Sequence, residues 1–235
     1  MRIAMWSGPR NLSTAMMYAF AARGDCAVVD EPFYAAYLDK TGLDHPMRAE
    51  ILASQPTNPN EVVAQISGSI RGNFPHFYQK HMTQHMIEGV PRDWIGDVVN
   101  VFLIRHPARV IASYAAKRED PTLEDIGFPQ QLELYEQFGG VVVDSYDIRQ
   151  SPRGMLQLLC DAIGLEFSEK MLSWPKGGHP DDGVWAAHWY GAVHNSTGFA
   201  PPEAELPMIE EDQREIFCAA LDIYDTLKTK AITLG

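Results

Sequence analysis

Apolar residues gather in short runs, separated by longer stretches where they recur at helical spacing. The runs at residues 3–5, 26–29, 99–104 and 141–143 read as buried strands, and the more polar residues 77–82 read as a fifth. Helical spacing marks residues 15–20, 33–38, 61–70 (Val62, Val63, Ile66) and 132–138. Another helix starts at Pro107, with Val110, Ile111 and Tyr114 as its apolar positions, and a further one over 155–163 is closed by Gly164. The last carries Ile216, Ala220, Ile223 and Leu227 on one face, while residues 54–60, 174–183 and 196–207 read as loops. Buried strands alternating with helices predict an α/β fold, a three-layer sandwich around a central parallel sheet. One domain over residues 1–235 is expected, with 175–235 as a C-terminal lid or helical portion. Ligands of such sheets bind beyond the carboxyl ends of the strands, which directs attention to residues 7–14, Glu31, 80–82, Arg105 and 144–146.

Composition narrows the partners. Hydrophobic content of 46% with 21% charged residues is that of a soluble globular protein. The chain shows neither a basic leader with an apolar core nor a run of about 18 apolar residues, so it reads as cytoplasmic. Cys26, Cys160 and Cys218 are odd in number and lack a C-x-x-C pair, so they read as reduced thiols. The 19 basic against 31 acidic residues leave a net charge of −12, which argues against nucleic acid or an anionic membrane as partner. An anionic ligand would have to be held by local cations, which makes the positions of the few arginines and lysines informative.

The stretch WSGPRNLST, from Trp6 to Thr14, joins the first strand to the first helix. A Gly-Pro turn and a helix opening on Asn11, Ser13 and Thr14 turn unpaired backbone N–H groups and the positive end of the helix dipole toward an anion. An ordinary strand-to-helix turn capped by Asn11 or Ser13 has the same local features. Aligned on Gly8, a nucleoside triphosphatase loop would need Gly, Lys and a hydroxyl where this chain has Ser13, Thr14 and Ala15. Arg10 supplies a cation earlier in the loop. Further on, Arg105 ends the most apolar strand and Ser113 lies eight residues later in the following helix, where both can face one phosphate. A structural ion pair at Arg105 is the alternative.

These two segments together resemble the sulfotransferases that use 3′-phosphoadenosine 5′-phosphosulfate. The family's first signature, Pro-[Lys/Arg]-x-x-[Ser/Thr]-[Ser/Thr] at a helix start, is matched by Pro9, Arg10, Ser13 and Thr14. Its second, a strand, an Arg and a Ser eight residues on, is matched by VFLIRHPARVIASY. The resemblance implies a fold like that of P-loop nucleoside triphosphate hydrolases. It implies that the loop Gly8, Pro9, Arg10, Asn11, Leu12, Ser13 and Thr14 holds the 5′-phosphosulfate and that Arg105 and Ser113 hold the 3′-phosphate. GGVVVDSYDI and its following helix resemble a later family segment, and PKGGHPDDGVW resembles the loop that folds over the nucleotide, which would bring Lys176 to the 3′-phosphate. The spacing of that loop differs from the cytosolic steroid and phenol enzymes. Two separate anion sites suit a donor with two phosphate groups, and sulfuryl transfer, which moves less charge than phosphoryl transfer, can proceed on cations and amides with no metal required.

An acceptor hydroxyl must lose a proton as it attacks, so a base is needed. Glu31, just past the second strand, resembles the acid found there in the bacterial carbohydrate and tyrosine-directed branches. His81 is the other candidate, one residue after Lys80 rather than the two seen in the cytosolic enzymes, and neighbouring strand residues face opposite ways. Lys80 would balance charge at the sulfuryl group. His81 and His85 lack the Glu of H-E-x-x-H, which counts against zinc. The expected activity is sulfuryl transfer to a small-molecule or carbohydrate acceptor. A metal-dependent nucleotide kinase or triphosphatase on the same fold and a non-catalytic adenine-nucleotide-binding module are the alternatives.

Overall fold

A computed structural model describes residues 1–115 and 121–235. Five strands, β1 (Arg2–Ser7), β2 (Cys26–Asp30), β3 (His76–Met82), β4 (Val99–Ile104) and β5 (Val141–Asp144), form one sheet in the order β2-β3-β1-β4-β5. Every pairing is parallel, so the carboxyl ends of all five strands lie along one edge. In register, Lys80 pairs with Asp30 on one side and with Met5 on the other.

Both faces of the sheet are buried, which explains why β1, β2, β4 and β5 are largely apolar. Ile3 and Met5 of β1 pack with Met16, Met17 and Phe20 of α1 (Ser13–Ala22) and with Leu156 and Leu159 further along the chain. Ala4 and Trp6 point the other way, toward Val62, Phe102, Ile111, Leu134 and Leu227. On that face lie α4 (Pro59–Ser67), α5 (Pro107–Ala115), α6 (Phe128–Phe138) and the last helix, α11 (Arg214–Lys228). Helix α8 (Pro152–Ile163) covers the first face, and Gly164, at φ 71°, ends it in the left-handed conformation.

Several boundaries move from the sequence expectation. Helix α4 begins at Pro59 because the Asn58 side chain accepts from the Asn60 N–H, and it stops at Gly68, so residue 70 lies outside it. Helix α6 starts at Phe128, four positions early, with a proline in its first turn. Of the predicted apolar positions in α5, Val110 and Ile111 are buried, and the Tyr114 side chain lies outside the described set. Five short helices were not anticipated or only partly so. Two follow β2, α2 (Tyr34–Thr41), predicted in part, and α3 (Arg48–Ser54); α7 (Ser145–Gln150) follows β5, where the Asp144 side chain accepts from the Tyr146 N–H. The remaining two, α9 (Ala186–Trp189) and α10 (Gly191–His194), are single turns between the two C-terminal loops. Among the described residues no helix is long and apolar enough to cross a membrane.

Candidate active site at the carboxyl ends of the strands

The loop after β1 is shaped by close approach and backbone strain. A Cβ on Gly8 would lie 2.3 Å from the Ile126 carbonyl oxygen, so only glycine fits beneath that segment. Arg10 has φ 56°, the left-handed region that non-glycine residues rarely enter, and its carbonyl accepts from an Arg105 Nη. The Asn11 amide donates to the Leu103 carbonyl at 2.8 Å, and its oxygen accepts from the Leu12 N–H at 2.7 Å. Neither Asn11 nor Ser13 caps α1: Leu12 stands at the cap with no side-chain bond. The first-turn N–H groups, those of Ser13, Thr14 and Ala15, have no acceptor within the helix. These residues line a cavity of about 590 Å³ together with Pro9 and Arg10.

One end of the cavity is cationic. Arg10 Nε donates to Ser113 Oγ at 3.1 Å, which makes the two predicted anion sites neighbours along one wall. Burial and the nearby Arg105 charge both pull the Arg10 pKa below its usual value. Arg105 is ion-paired with Glu203, whose side chain is 2% exposed and which also meets Arg109 Nε at 2.9 Å and Arg149 Nη1 at 2.6 Å.

The other end is a buried ion network. Lys80, 1% exposed, donates to Asp30 Oδ1 at 2.8 Å, Glu31 Oε1 at 2.7 Å and the Tyr190 hydroxyl, which uses all three of its protons. Tyr190 lies 2.8 Å from Asp30 Oδ2 and accepts from Trp185 Nε1 at 3.0 Å. Glu31 has φ 39°, a second strained residue at the site, and its carbonyl accepts from Gln55 at 3.1 Å. Burial raises the Glu31 pKa above the usual carboxylate value, against the pull of Lys80 and with the help of Asp30. For Lys80 burial acts downward, but the two carboxylates outweigh it and raise its pKa. His85 lines the same end, stacked on Tyr34 and Tyr37 at 4.8 Å, and burial holds it far below its ordinary pKa and therefore neutral.

The cavity thus gathers Pro9, Arg10, Asn11, Leu12, Ser13, Thr14, Glu31, Lys80, Arg105 and Ser113 from the sequence-predicted set. Three members lie elsewhere. Gly8 sits under the loop without lining the cavity. His81 points to the opposite face of β3, where its ring stacks on Trp6 at 4.5 Å, its Nε2 meets Gln79 at 3.1 Å, and burial drives its pKa down to about 3. Alternation along the strand gives Lys80 to the cavity and His81 to the core, so the histidine ring faces away from the cavity. Lys176 is exposed and outside the cavity lining. Sequence reasoning missed Asp30, Arg109, Arg149 and Glu203, whereas Tyr190 belongs to an aromatic stretch that reads from sequence as either an acceptor-pocket lining or core, and it lines the cavity. Asp30 adjoins Glu31 and Arg109 follows Arg105 by one helical turn, spacings that point to both; Tyr190 and Glu203 arrive from distant loops.

A family of sulfotransferase domains matches residues 1–231. Two curated relatives from Arabidopsis thaliana are similar to the chain. Branched-chain-amino-acid aminotransferase-like protein 1 is 35% identical over 233 residues, and protein 2 of that name is 32% identical over 234. The match takes in 97% and 96% of the chain but 41% of each relative, so the chain spans about two fifths of their length. Among solved structures, a sulfotransferase from Alicyclobacillus acidocaldarius aligns over 98% of the chain and 96% of its own, with TM-score 0.55 and 12% identity. The sulfotransferase domain of the Synechococcus PCC 7002 olefin synthase aligns over 100% and 96%, with TM-score 0.50 and 17% identity. At those identities the structural likeness concerns the fold.

Proposed function

Because the chain belongs to the sulfotransferase domain family, we propose that it transfers a sulfuryl group from 3′-phosphoadenosine 5′-phosphosulfate to a hydroxyl or amine of a small-molecule or carbohydrate acceptor. The observation that carries this reading is one cavity with guanidiniums and helix N–H groups at one end and a buried, base-like carboxylate at the other. Arg10 and the first-turn N–H groups of α1 hold the 5′-phosphosulfate, and Arg105 with Ser113 holds the 3′-phosphate. A donor with several negative charges fits that end, since Arg10 has only the neutral Ser113 hydroxyl as its partner among the described residues.

Glu31 takes the acceptor proton as the acceptor oxygen bonds to sulfur and the sulfur–oxygen bond to the nucleotide breaks, leaving the electron pair on the departing phosphate. Its raised pKa suits that task. Lys80 acts through Glu31: with its three protons committed to Asp30, Glu31 and Tyr190 it orients the carboxylate, in place of the contact with the sulfuryl group expected from sequence. Arg10 and the helix N–H groups stabilise the charge that develops on the leaving oxygen.

Calorimetric titration with adenosine 3′,5′-bisphosphate, adenosine 5′-phosphate, ADP and ATP, each with and without Mg²⁺, tests the donor side. Metal-independent binding that requires the 3′-phosphate is expected. Preference for Mg-ATP would overturn the reading in favour of phosphoryl transfer.

A further inference from the structure

Glu203 is an anomaly of its loop. Its neighbours Pro201, Pro202, Ala204 and Glu205 are exposed and the segment has no regular structure, yet its carboxylate is 2% exposed. Three guanidiniums, from the end of β4, from α5 and from α7, surround it: Arg105 and Arg149 meet Oε1, and Arg109 meets Oε2. The same arginines hold the loop backbone, Arg149 Nε donating to the Pro201 carbonyl at 2.8 Å and Arg109 to that of Ala204.

We propose that Arg105, Arg109 and Arg149 form a recess for a phosphate monoester and that the Glu203 carboxylate is its internal stand-in, expelled with its loop when the phosphate enters. The site rests on the nucleotide-binding reading above, for which the 3′-phosphate of the donor is the occupant.

Charge balance is the first argument. Among the described residues three arginines enclose one carboxylate, and Arg10 stands beside Arg105 with no acid of its own. A phosphate dianion matches that surplus better than a single carboxylate and offers three oxygens, one for each guanidinium. Mutual repulsion is felt within the cluster: burial together with Arg105 and Arg109 lowers the Arg149 pKa against the opposing pull of Glu203. Placement is the second argument. Arg105 lines the cavity wall, as do Gly198 and Ala200 of the loop that carries Glu203, whereas Arg109, Arg149 and Glu203 lie beyond that wall. The cavity therefore ends where the carboxylate begins, and withdrawing Glu203 would extend it onto two more arginines. A nucleotide lacking the distal phosphate would leave Glu203 in place, so the latch couples loop release to the complete donor.

The test is titration of wild type and Glu203→Gln with adenosine 3′,5′-bisphosphate and with adenosine 5′-phosphate at fixed ionic strength. The variant is expected to bind the bisphosphate at least tenfold more tightly and the monophosphate within twofold of wild type. Unchanged or weaker bisphosphate binding would make Glu203 a strut that positions the arginines and would overturn the proposal. Should Glu203→Gln fail to fold, Glu203→Asp, one methylene shorter, is expected to tighten bisphosphate binding in the same direction, and its failure to do so counts equally against the latch. A second arm is independent of nucleotide binding. Inorganic phosphate should accelerate subtilisin cleavage within residues 196–207 of the wild type saturably, relative to chloride of equal ionic strength, and leave the already open Glu203→Gln unaffected. Phosphate release of the loop without bisphosphate binding would keep the latch and remove the donor assignment; no acceleration in the wild type would remove the latch.

Discussion

The two ends of the cavity handle charge in opposite ways. At the cationic end, Arg105, Arg109 and Arg149 surround one carboxylate among the described residues, Glu203, Arg10 stands beside Arg105, and the N–H groups opening α1 add further positive potential. At the other end Lys80 is matched by two carboxylates and capped by the Tyr190 hydroxyl, all of them buried. A surplus of fixed positive charge next to a cavity binds anions. A buried network holding a carboxylate whose pKa burial raises above its ordinary value is suited to accept a proton. Both ends use strained backbone, at Arg10 and Glu31, the non-glycine residues of positive φ that line the cavity.

Breaking the proton-handling end should have the largest consequence. Glu31→Gln is expected to lower turnover by about 10²- to 10⁴-fold while bisphosphate affinity stays within twofold, measured with labelled donor and by calorimetry. In the wild type kcat/KM should fall as pH drops through the raised Glu31 pKa, because the carboxylate form is the base. That limb should be missing from the residual activity of the variant. Full turnover by Glu31→Gln would separate the two ends and leave the base unassigned.

Removing the cation from the same network comes next. Lys80→Met leaves the buried carboxylates of Asp30 and Glu31 without their cation, and a loss of about 3 kcal/mol in urea unfolding is expected for a buried pair deprived of one partner. Stability equal to wild type would mean that the network is less buried than its geometry implies.

The smallest effect concerns His81, the second candidate base by sequence, whose ring the fold places in the core. His81 is neutral in the folded state, with a pKa of about 3, and titrates near its ordinary value when unfolded. Between those values the unfolded chain holds more protons, so stability falls as pH falls, by at most about 1.4 kcal/mol per pH unit from this residue. His81→Phe, which retains an aromatic ring beside Trp6 and Trp94, should lessen that slope by up to one proton and leave the share of His85. A thermal-unfolding series from pH 4 to 7 measures it, and an unchanged slope would show that His81 is hydrated in the fold.

Most of the sheet was legible because each strand is buried on both sides and shows as a largely apolar run, interrupted in β4 by Asn100, which accepts from Trp6 Nε1 at 2.9 Å, with β3 the exception. That strand reads as polar because Gln79, Lys80 and His81 are all buried for specific hydrogen bonds or stacking, with Gln79 Nε2 donating to the Ile66 carbonyl at 2.9 Å. Helices α3 and α7 were missed because each is about two turns or less, too short for a periodic pattern to show. The loop that opens α1 was legible as Gly-Pro-Arg at a helix start, since turn chemistry and helix ends are local properties. Its capping was not, because Asn11 spends its side chain on β4.

What the sequence determined by itself is the alternation of elements, the strand-end location of the site, and the two arginine motifs that resemble the sulfotransferase family to which the chain belongs. Only the tertiary structure decided that Lys80 and not His81 enters the cavity, and that Tyr190 reaches Asp30 across 160 positions. The same holds for Glu203, drawn into three arginines from α5, α7 and the end of β4. Local patterns are carried by the dihedral preferences and side-chain periodicity of neighbouring residues. The pairing of charges from distant loops depends on which faces the packed layers leave adjacent, a property of the whole chain.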